Sequence, residues 1–424
     1  MFGLFYFFKR LYTIFNPPVA PKRSDALRFG ILGAATVAPQ SLIIPARSHP
    51  EVIVAAVAAR DQKRAHAFAK KHRIPIVHKS YDDLLADPTI DCVYIPLPIG
   101  LHYEWALKAI KAGKHVLLEK PCVSNATEAR SLFRHPVLNK PDAPILLEAF
   151  HQRFYPSWQT FMSLFDSEDV EEVNVKSWLF AGLLPFDDIR FNYALSGGTF
   201  MDYGAYAVST VRSIFASEPT AIKSATYRPL PNGFDEHCDE AMFATYEFAN
   251  GGTAKLSVDL QATGGYWFPA LTRKWPNFRN FPPWLTVKLR AKKEGTEGRF
   301  EKWTQKSVIM NNYMVPHLWH RIDIVTNTEY RDTQEGGKLV RHEKNIEHMK
   351  AYNWLTSEKD RKCEEWWSTY RYQLEEFVNQ VKRREGSGVW IDGDDSIKQM
   401  ELVDKTYLLA GLPLRPTSQA LETM

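Results

Sequence analysis

A series of short apolar runs dominates the first third of the chain: Leu27–Leu32, Val52–Ala59, Asp91–Ile95, Val116–Leu118 and Ile145–Ala149. Between them lie stretches with helical spacing, such as Gln62–His72 with its alanines and Phe68 on one face. Parallel strands cannot be joined by tight turns and need a crossover, usually a helix. Apolar strands alternating with helices of this length therefore imply a doubly wound parallel sheet. The run Val116–Leu118 ends in Glu119-Lys120-Pro121. Open α/β sheets bind ligands beyond the carboxyl ends of their strands. Lys120 stands there, and Pro121 cannot continue the strand.

The first run leads directly into Gly33-Ala34-Ala35-Thr36-Val37-Ala38. This occupies the position of a dinucleotide-binding Gly-x-Gly-x-x-Gly/Ala turn with Ala35 in place of the second glycine. Small residues at Gly33, Ala35, Thr36 and Ala38 let the backbone approach a pyrophosphate. The second run ends in Ala58-Ala59-Arg60-Asp61. A carboxylate at that tip would hold a ribose hydroxyl. Arg60 instead suits a 2′-phosphate, which predicts NADP over NAD. Asp61 reads either as a ribose ligand or as the cap of the next helix.

The chain has 424 residues, more than one core usually holds. Past Phe150 the pattern changes to longer alternating strands at Val170–Phe180, Ala221–Tyr227, Ala241–Phe248 and Gly252–Asp259. These predict an open, mainly antiparallel sheet with one face covered. The organisation expected is an aromatic extension with a Pro-rich linker over 1–25, a Rossmann domain over 26–150, an α+β substrate and dimerisation domain over 151–415, and a tail over 416–424. Residues 265–290 read as an irregular aromatic insertion, and Glu364–Lys382 and Asp395–Ala410 as amphipathic helices.

Several function classes fall away. A net charge of +4 without a clustered basic helix argues against nucleic acid. The cysteines, Cys92, Cys122, Cys238 and Cys363, lack zinc spacing, and His317 and His320 lack partners, so no metal site is expected. Free thiols fit a reducing, cytoplasmic setting. The segment 1–15 is strongly apolar but too short to span a bilayer. Packing on its own domain or on a partner subunit is the preferred reading of it, with membrane-surface contact as the alternative. Cys122, two residues past Lys120, is expected near the cofactor and activated by the adjacent cation, or else buried and inert.

Four pieces together carry a resemblance: Gly33–Ala38, Pro98-Ile99-Gly100-Leu101-His102, Glu119-Lys120-Pro121, and Gly197-Gly198-Thr199-Phe200-Met201-Asp202-Tyr203-Gly204-Ala205-Tyr206. With them the chain resembles the glucose–fructose oxidoreductase / inositol dehydrogenase (Gfo/Idh/MocA) family over about residues 26–415. Glu148-Ala149-Phe150, Trp366–Tyr370 and Gly388–Asp392 make it most similar to the branch of dimeric dihydrodiol dehydrogenases and NADP-dependent D-xylose 1-dehydrogenases. Two positions depart from the wider family, Ile99 where Asn is frequent and Tyr206 where many members have His.

The resemblance implies an NADP-dependent dehydrogenase acting on a sugar or diol, as a homodimer or higher homo-oligomer. It implies catalytic roles for Lys120, Tyr206 and Asp202, cofactor contacts from Pro98, His102, Glu119 and Lys120, and a substrate contact from Arg153 beside Asp202 and Tyr206. A free tyrosine has a pKa of about 10, and the charge of Lys120 is expected to favour the phenolate. A second class stays open, a non-catalytic NADP-binding sensor or transcriptional regulator on the same fold.

Overall fold

The structure, a computed structural model, describes residues 2–279, 282–354 and 363–422. Its first sheet holds β1 (Leu27–Leu32), β2 (Val52–Ala58), β3 (Ile76–His78), β4 (Cys92–Ile95), β5 (His115–Leu118) and β6 (Leu146–Glu148). All pair in parallel, in the order β3-β2-β1-β4-β5-β6. The strand order reverses at β1 and β4, where such sheets open a crevice at their carboxyl ends. Strands β1, β4 and β5 are apolar and almost wholly buried because helices cover both faces.

The second sheet has nine strands: β7 (Val170–Phe180), β8 (Ala221–Pro229), β9 (Asp239–Glu247), β10 (Thr253–Ala262), β11 (Trp284–Leu289), β12 (Lys292–Glu297), β13 (Phe300–Asn311), β14 (Arg321–Asp332) and β15 (Lys338–Met349). The order is β15-β14-β13-β11-β7-β10-β9-β8, with β12 on β13. Two expectations need correction, and four strands went unread in the sequence. Strand β10 pairs with β7 in parallel, because the crossover between them carries β8 and β9 as a side-by-side pair. The aromatic insertion is not irregular throughout, since its end, β11, lies in mid-sheet between β7 and β13. Strands β12 to β15 gave no readable alternation. β15 is exposed along nearly its whole length, so neither of its faces had to be apolar.

The late helices do not belong to the second sheet alone. The helix expected from Glu364 starts at Thr369 and ends at Val381. It packs against the first sheet, with Phe377 5.8 Å from Phe29 of β1. The helix Gly393–Leu409 joins the helix Ala126–Phe133, through Asp404 and the backbone N–H of Ala126 at 2.9 Å, to the helix Ala205–Phe215, through Arg212 and Asp395 at 2.7 Å. Both helices thus clamp the seam between the sheets.

Residues Phe2–Phe15 form one helix. Arg10 is buried, donates to the carbonyls of His317 and Leu318, and lies 4.0 Å over the Tyr352 ring. Ile14 is buried beside it, while Leu4, Phe5, Phe8 and Tyr12 remain exposed. Among the described residues no helix is long and apolar enough to cross a membrane.

Candidate active site

The crevice begins at the turn after β1. Gly33 has φ +106°, and a Cβ there would meet Leu97 at 3.0 Å, so a side chain is strained and crowded at this point. Gly33, Ala34, Ala35 and Thr36 line a cleft of about 740 Å³ together with Pro98 and Arg60. Arg60, Arg64 and Lys79 are exposed along its rim, and Asp61, which also lines the cleft, has its carboxylate engaged in capping the helix Gln62–His72 through the N–H groups of Lys63 and Arg64. A small-residue cradle rimmed by cations and without a ribose carboxylate fits a dinucleotide carrying an extra phosphate. Ala38 departs from expectation. It is fully buried at the start of the helical turn Pro39–Ile43 and faces the core.

The same crevice continues into a second cavity of about 580 Å³, which shares Ala35, Thr36, Leu97 and Pro98 with the first. Lys120, at the end of β5, reaches into it. Its Nζ donates to Asp202 Oδ1 at 2.5 Å and to the Asp202 carbonyl at 3.0 Å. Arg190 holds the other carboxylate oxygen at 3.0 Å. Burial alone would raise the Asp202 pKa, but Lys120 and Arg190 outweigh it and hold the carboxyl below its ordinary value. Lys120 is thereby held at the crevice wall by its ion pair with Asp202.

Asp202 and Tyr206 arrive together on the turn Phe200–Gly204 and the helix Ala205–Phe215. A wholly buried ion pair anchors that turn. Asp239 accepts from Arg415 at 3.0 Å, from the Phe200 N–H at 2.7 Å and from the Tyr407 hydroxyl at 2.9 Å. Gly198 has φ +136°, and any Cβ there would run into Arg415 and Asp239. The double glycine of the motif is therefore explained by close approach.

Lys120 sits over the face of the Tyr206 ring, 4.4 Å from its centre. The partner at the phenol oxygen is instead His151, with Nε2 at 2.9 Å. Burial, then Tyr370 and Glu119, push the Tyr206 phenol well above its ordinary pKa. The expected phenolate is thus not the resting form, because desolvation outweighs a cation already neutralised by Asp202. Glu119 accepts from Tyr94 at 2.6 Å, and burial raises its pKa against the opposing effects of Tyr94 and Lys120.

His102 lines the second cavity with Lys120, with Nε2 2.7 Å from the Leu97 carbonyl and Nδ1 2.9 Å from the Pro121 carbonyl, and its single neutral N–H donates to one of the two. Burial lowers its pKa to about 4. Arg153 does not reach the substrate cavity. It pairs with Asp395 in a separate depression with Arg212 and Trp390, because the turn after β6 points its side chain away. Cys122 is fully buried, and burial together with Glu148 raises its thiol pKa, so the activated cysteine is overturned.

Sequence reasoning missed Arg190, His151 and Tyr370. Arg190 comes from a segment without a motif, and Tyr370 ends the Trp366–Tyr370 piece, which carried the resemblance but no expected role for this residue. His151 carried a usable signal, since it follows the last strand of the first sheet as Lys120 follows the fifth. Among the described residues no cluster of three or more His, Cys, Asp or Glu could hold a metal ion.

Comparison with known proteins matches residues 27–137 to the oxidoreductase family with an NAD-binding Rossmann fold and residues 159–300 to the GFO/IDH/MocA C-terminal domain. A D-xylose 1-dehydrogenase (NADP(+)) of Haloferax volcanii is 40% identical over 57% of this chain and 72% of its own length. A trans-1,2-dihydrobenzene-1,2-diol dehydrogenase of Sus scrofa is 30% identical over 50% of this chain and 62% of its own. A 3-ketoreductase from Actinomadura kijaniata, solved with NADP and TDP-benzene, aligns over 91% of this chain and 98% of its own with a TM-score of 0.63 and 20% identity, a likeness of fold. The two matched domains, the parallel first sheet and the close relative in Haloferax together show that this chain belongs to the GFO/IDH/MocA family of oxidoreductases.

Proposed function

We propose that this protein is an NADP-dependent dehydrogenase that oxidises a hydroxyl of a small polyol, either C1 of a D-xylose-like aldose or a carbon of a trans-dihydrodiol. One observation carries the reading: Lys120, Asp202 and Tyr206 converge in a cavity continuous with the Gly33–Thr36 cradle and its Arg60 rim. The names of the Haloferax and pig relatives support the substrate class and the cofactor.

In this reading Gly33, Ala35, Thr36, Pro98 and Arg60 hold NADP, which when bound accepts the hydride. Lys120, with Glu119 beside it, orients the substrate oxygen as a fixed positive charge. Tyr206, once its phenol has been deprotonated, takes the hydroxyl proton. Asp202, fixed by Arg190, keeps Lys120 charged and in place. Leu179, Leu183 and Met314 form an apolar wall that excludes water from the reacting carbon. Both Lys120 and Tyr206 being present favours an enzyme over a sensor. The reading extends to a homodimer in the cytoplasm. Free cysteines at Cys92, Cys122, Cys238 and Cys363 suit a reducing compartment, and sedimentation would measure the assembly.

The test is direct. The purified chain is mixed with NADP and D-xylose, then with other aldoses and trans-dihydrodiols, and absorbance of the reduced nicotinamide is followed. Reduction of NADP by a member of the panel is expected. NADP binding without reduction across the whole panel would support the sensor reading instead.

A further inference from the structure

Among the described residues His151 is the one side chain hydrogen-bonded to the Tyr206 phenol. Its Nε2 lies 2.9 Å from the Tyr206 oxygen, its ring centre lies 4.0 Å from that of Tyr370 with the planes tilted by 39°, and it lines the same cavity as Lys120. The other ring nitrogen, Nδ1, is buried and has no hydrogen-bond partner among the described residues. A neutral imidazole carries one N–H. A proton on Nδ1 would leave a buried donor unmade, whereas a proton on Nε2 leaves only an acceptor without a partner, the more tolerated of the two. Nε2–H therefore donates to Tyr206, which frees the phenol proton to point into the cavity.

We propose that His151 is a positioning residue that donates from Nε2 to the Tyr206 oxygen, stabilises the phenolate that forms when the phenol loses its proton, and leaves that oxygen's free lone pair aimed at the substrate hydroxyl, whose proton it then takes. The inference rests on the dehydrogenase reading above. The groups facing this pair are Lys120 from β5, Glu119 beside it, Asp202 and Tyr203 from the turn before Tyr206, Tyr370 from the helix Thr369–Val381, and His317 behind the imidazole. Lys120 is engaged by Asp202, and the carboxylates and phenols oppose a phenolate. His151 is left as the neutral donor at the oxygen itself. With Nδ1 unpartnered among the described residues, no relay of protons leads away from it, so its action is orientation and charge stabilisation.

The test compares His151→Phe, which keeps the ring against Tyr370 and removes the donor, with His151→Gln, whose amide nitrogen reaches the position of Nε2. Turnover of the oxidised substrate is measured against pH. In His151→Phe the rising limb should move about one pH unit upward, a loss of about tenfold near neutrality that is regained at alkaline pH. His151→Gln should restore most of it, and NADP affinity should be unchanged in both. His151→Met, which also lacks the donor, carries the same expectation if the Phe variant does not fold. An unshifted profile in the variants without a donor, or equal losses for Gln and Phe at every pH, overturns the inference. A wild-type chain that oxidises no alcohol with NADP removes the dehydrogenase reading and this inference together, whereas active wild type with an unshifted variant removes the inference alone.

Discussion

At the nucleotide end of the crevice Arg60 and Lys79 stand in solvent beside a cradle of small residues, whereas at the reacting end the Lys120 side chain is 10% exposed and bonded to Asp202. The same crevice thus uses positive charge in two ways. An exposed arginine is free to meet a phosphate, and each such contact adds modest affinity that salt screens. A buried ammonium cannot stand alone. It needs a partner, and the partner then needs its own, which is why Asp202 is held in turn by Arg190. In the proposed reading, recognition is carried by separable contacts at one end, and chemistry by a coupled cluster at the other.

The comparison predicts that the two ends fail differently, and the reacting end most severely. Lys120→Ala and Tyr206→Phe should each lower turnover by about 10²–10⁴-fold, with NADP affinity, read by fluorescence, retained in Tyr206→Phe. The double variant should be little worse than the worse single. Losses that multiply would mean that the two residues act separately.

Beneath that end, Glu148 accepts from the Cys122 N–H at 2.9 Å, and burial raises its pKa to about 7. Its folded value lies above its ordinary one of 4.5, so the neutral acid is what folding stabilises. That contribution is complete below the ordinary value and is lost as pH rises through about 7. Between these limits the wild type should lose about 3 kcal/mol of stability relative to Glu148→Gln, which stays neutral. Parallel denaturation curves for the two proteins across this range would refute it.

Arg10 supports the loop His317–Leu318, which follows the cavity-lining Met314 and Val315. Arg10→Ala should cost about 2 kcal/mol by chemical denaturation while leaving NADP affinity unchanged. Deletion of residues 1–22 should lower stability further yet leave a folded core, because β1 starts at Leu27. An aggregated or unfolded truncation would show that the first helix completes the core.

The smallest effect belongs to the exposed end. Arg60→Ala should weaken NADP about tenfold and leave NAD unchanged, with turnover at saturating cofactor intact. Equal weakening of both cofactors would remove Arg60 from 2′-phosphate recognition.

Legibility in the sequence follows the same division. The cradle is local: Gly33, Ala35 and Thr36 are consecutive with β1, and Arg60 directly follows β2. Strand ends also place Lys120, and the Gly197-Gly198 motif flags Asp202 and Tyr206. What could not be read were contacts made across large separations. Nothing at position 190 announces that Arg190 will hold Asp202, and nothing near Thr369 announces that Tyr370 will lie against His151. Cys122 was open to two readings because neighbourhood in sequence does not fix on which side of a strand end a thiol lies. Arg153 shows the same ambiguity at the end of β6.

The sequence by itself determined the parallel first sheet, the position of the crevice, the small-residue cradle and the preference for a phosphate-bearing nucleotide. Hydrophobic periodicity, glycine and the identity of one exposed arginine are local properties, and those features depend on nothing else. Only the tertiary structure decided that Lys120 lies over the ring of Tyr206 and not at its oxygen, that Asp202 neutralises it, and that His151 occupies the phenol. It also decided that β10 runs parallel to β7 and that the late helices clamp both sheets. Burial and long-range pairing shift the titration of Asp202, His151, Tyr206 and Tyr370, and neither exists until the chain has brought residues 120, 151, 202 and 370 together.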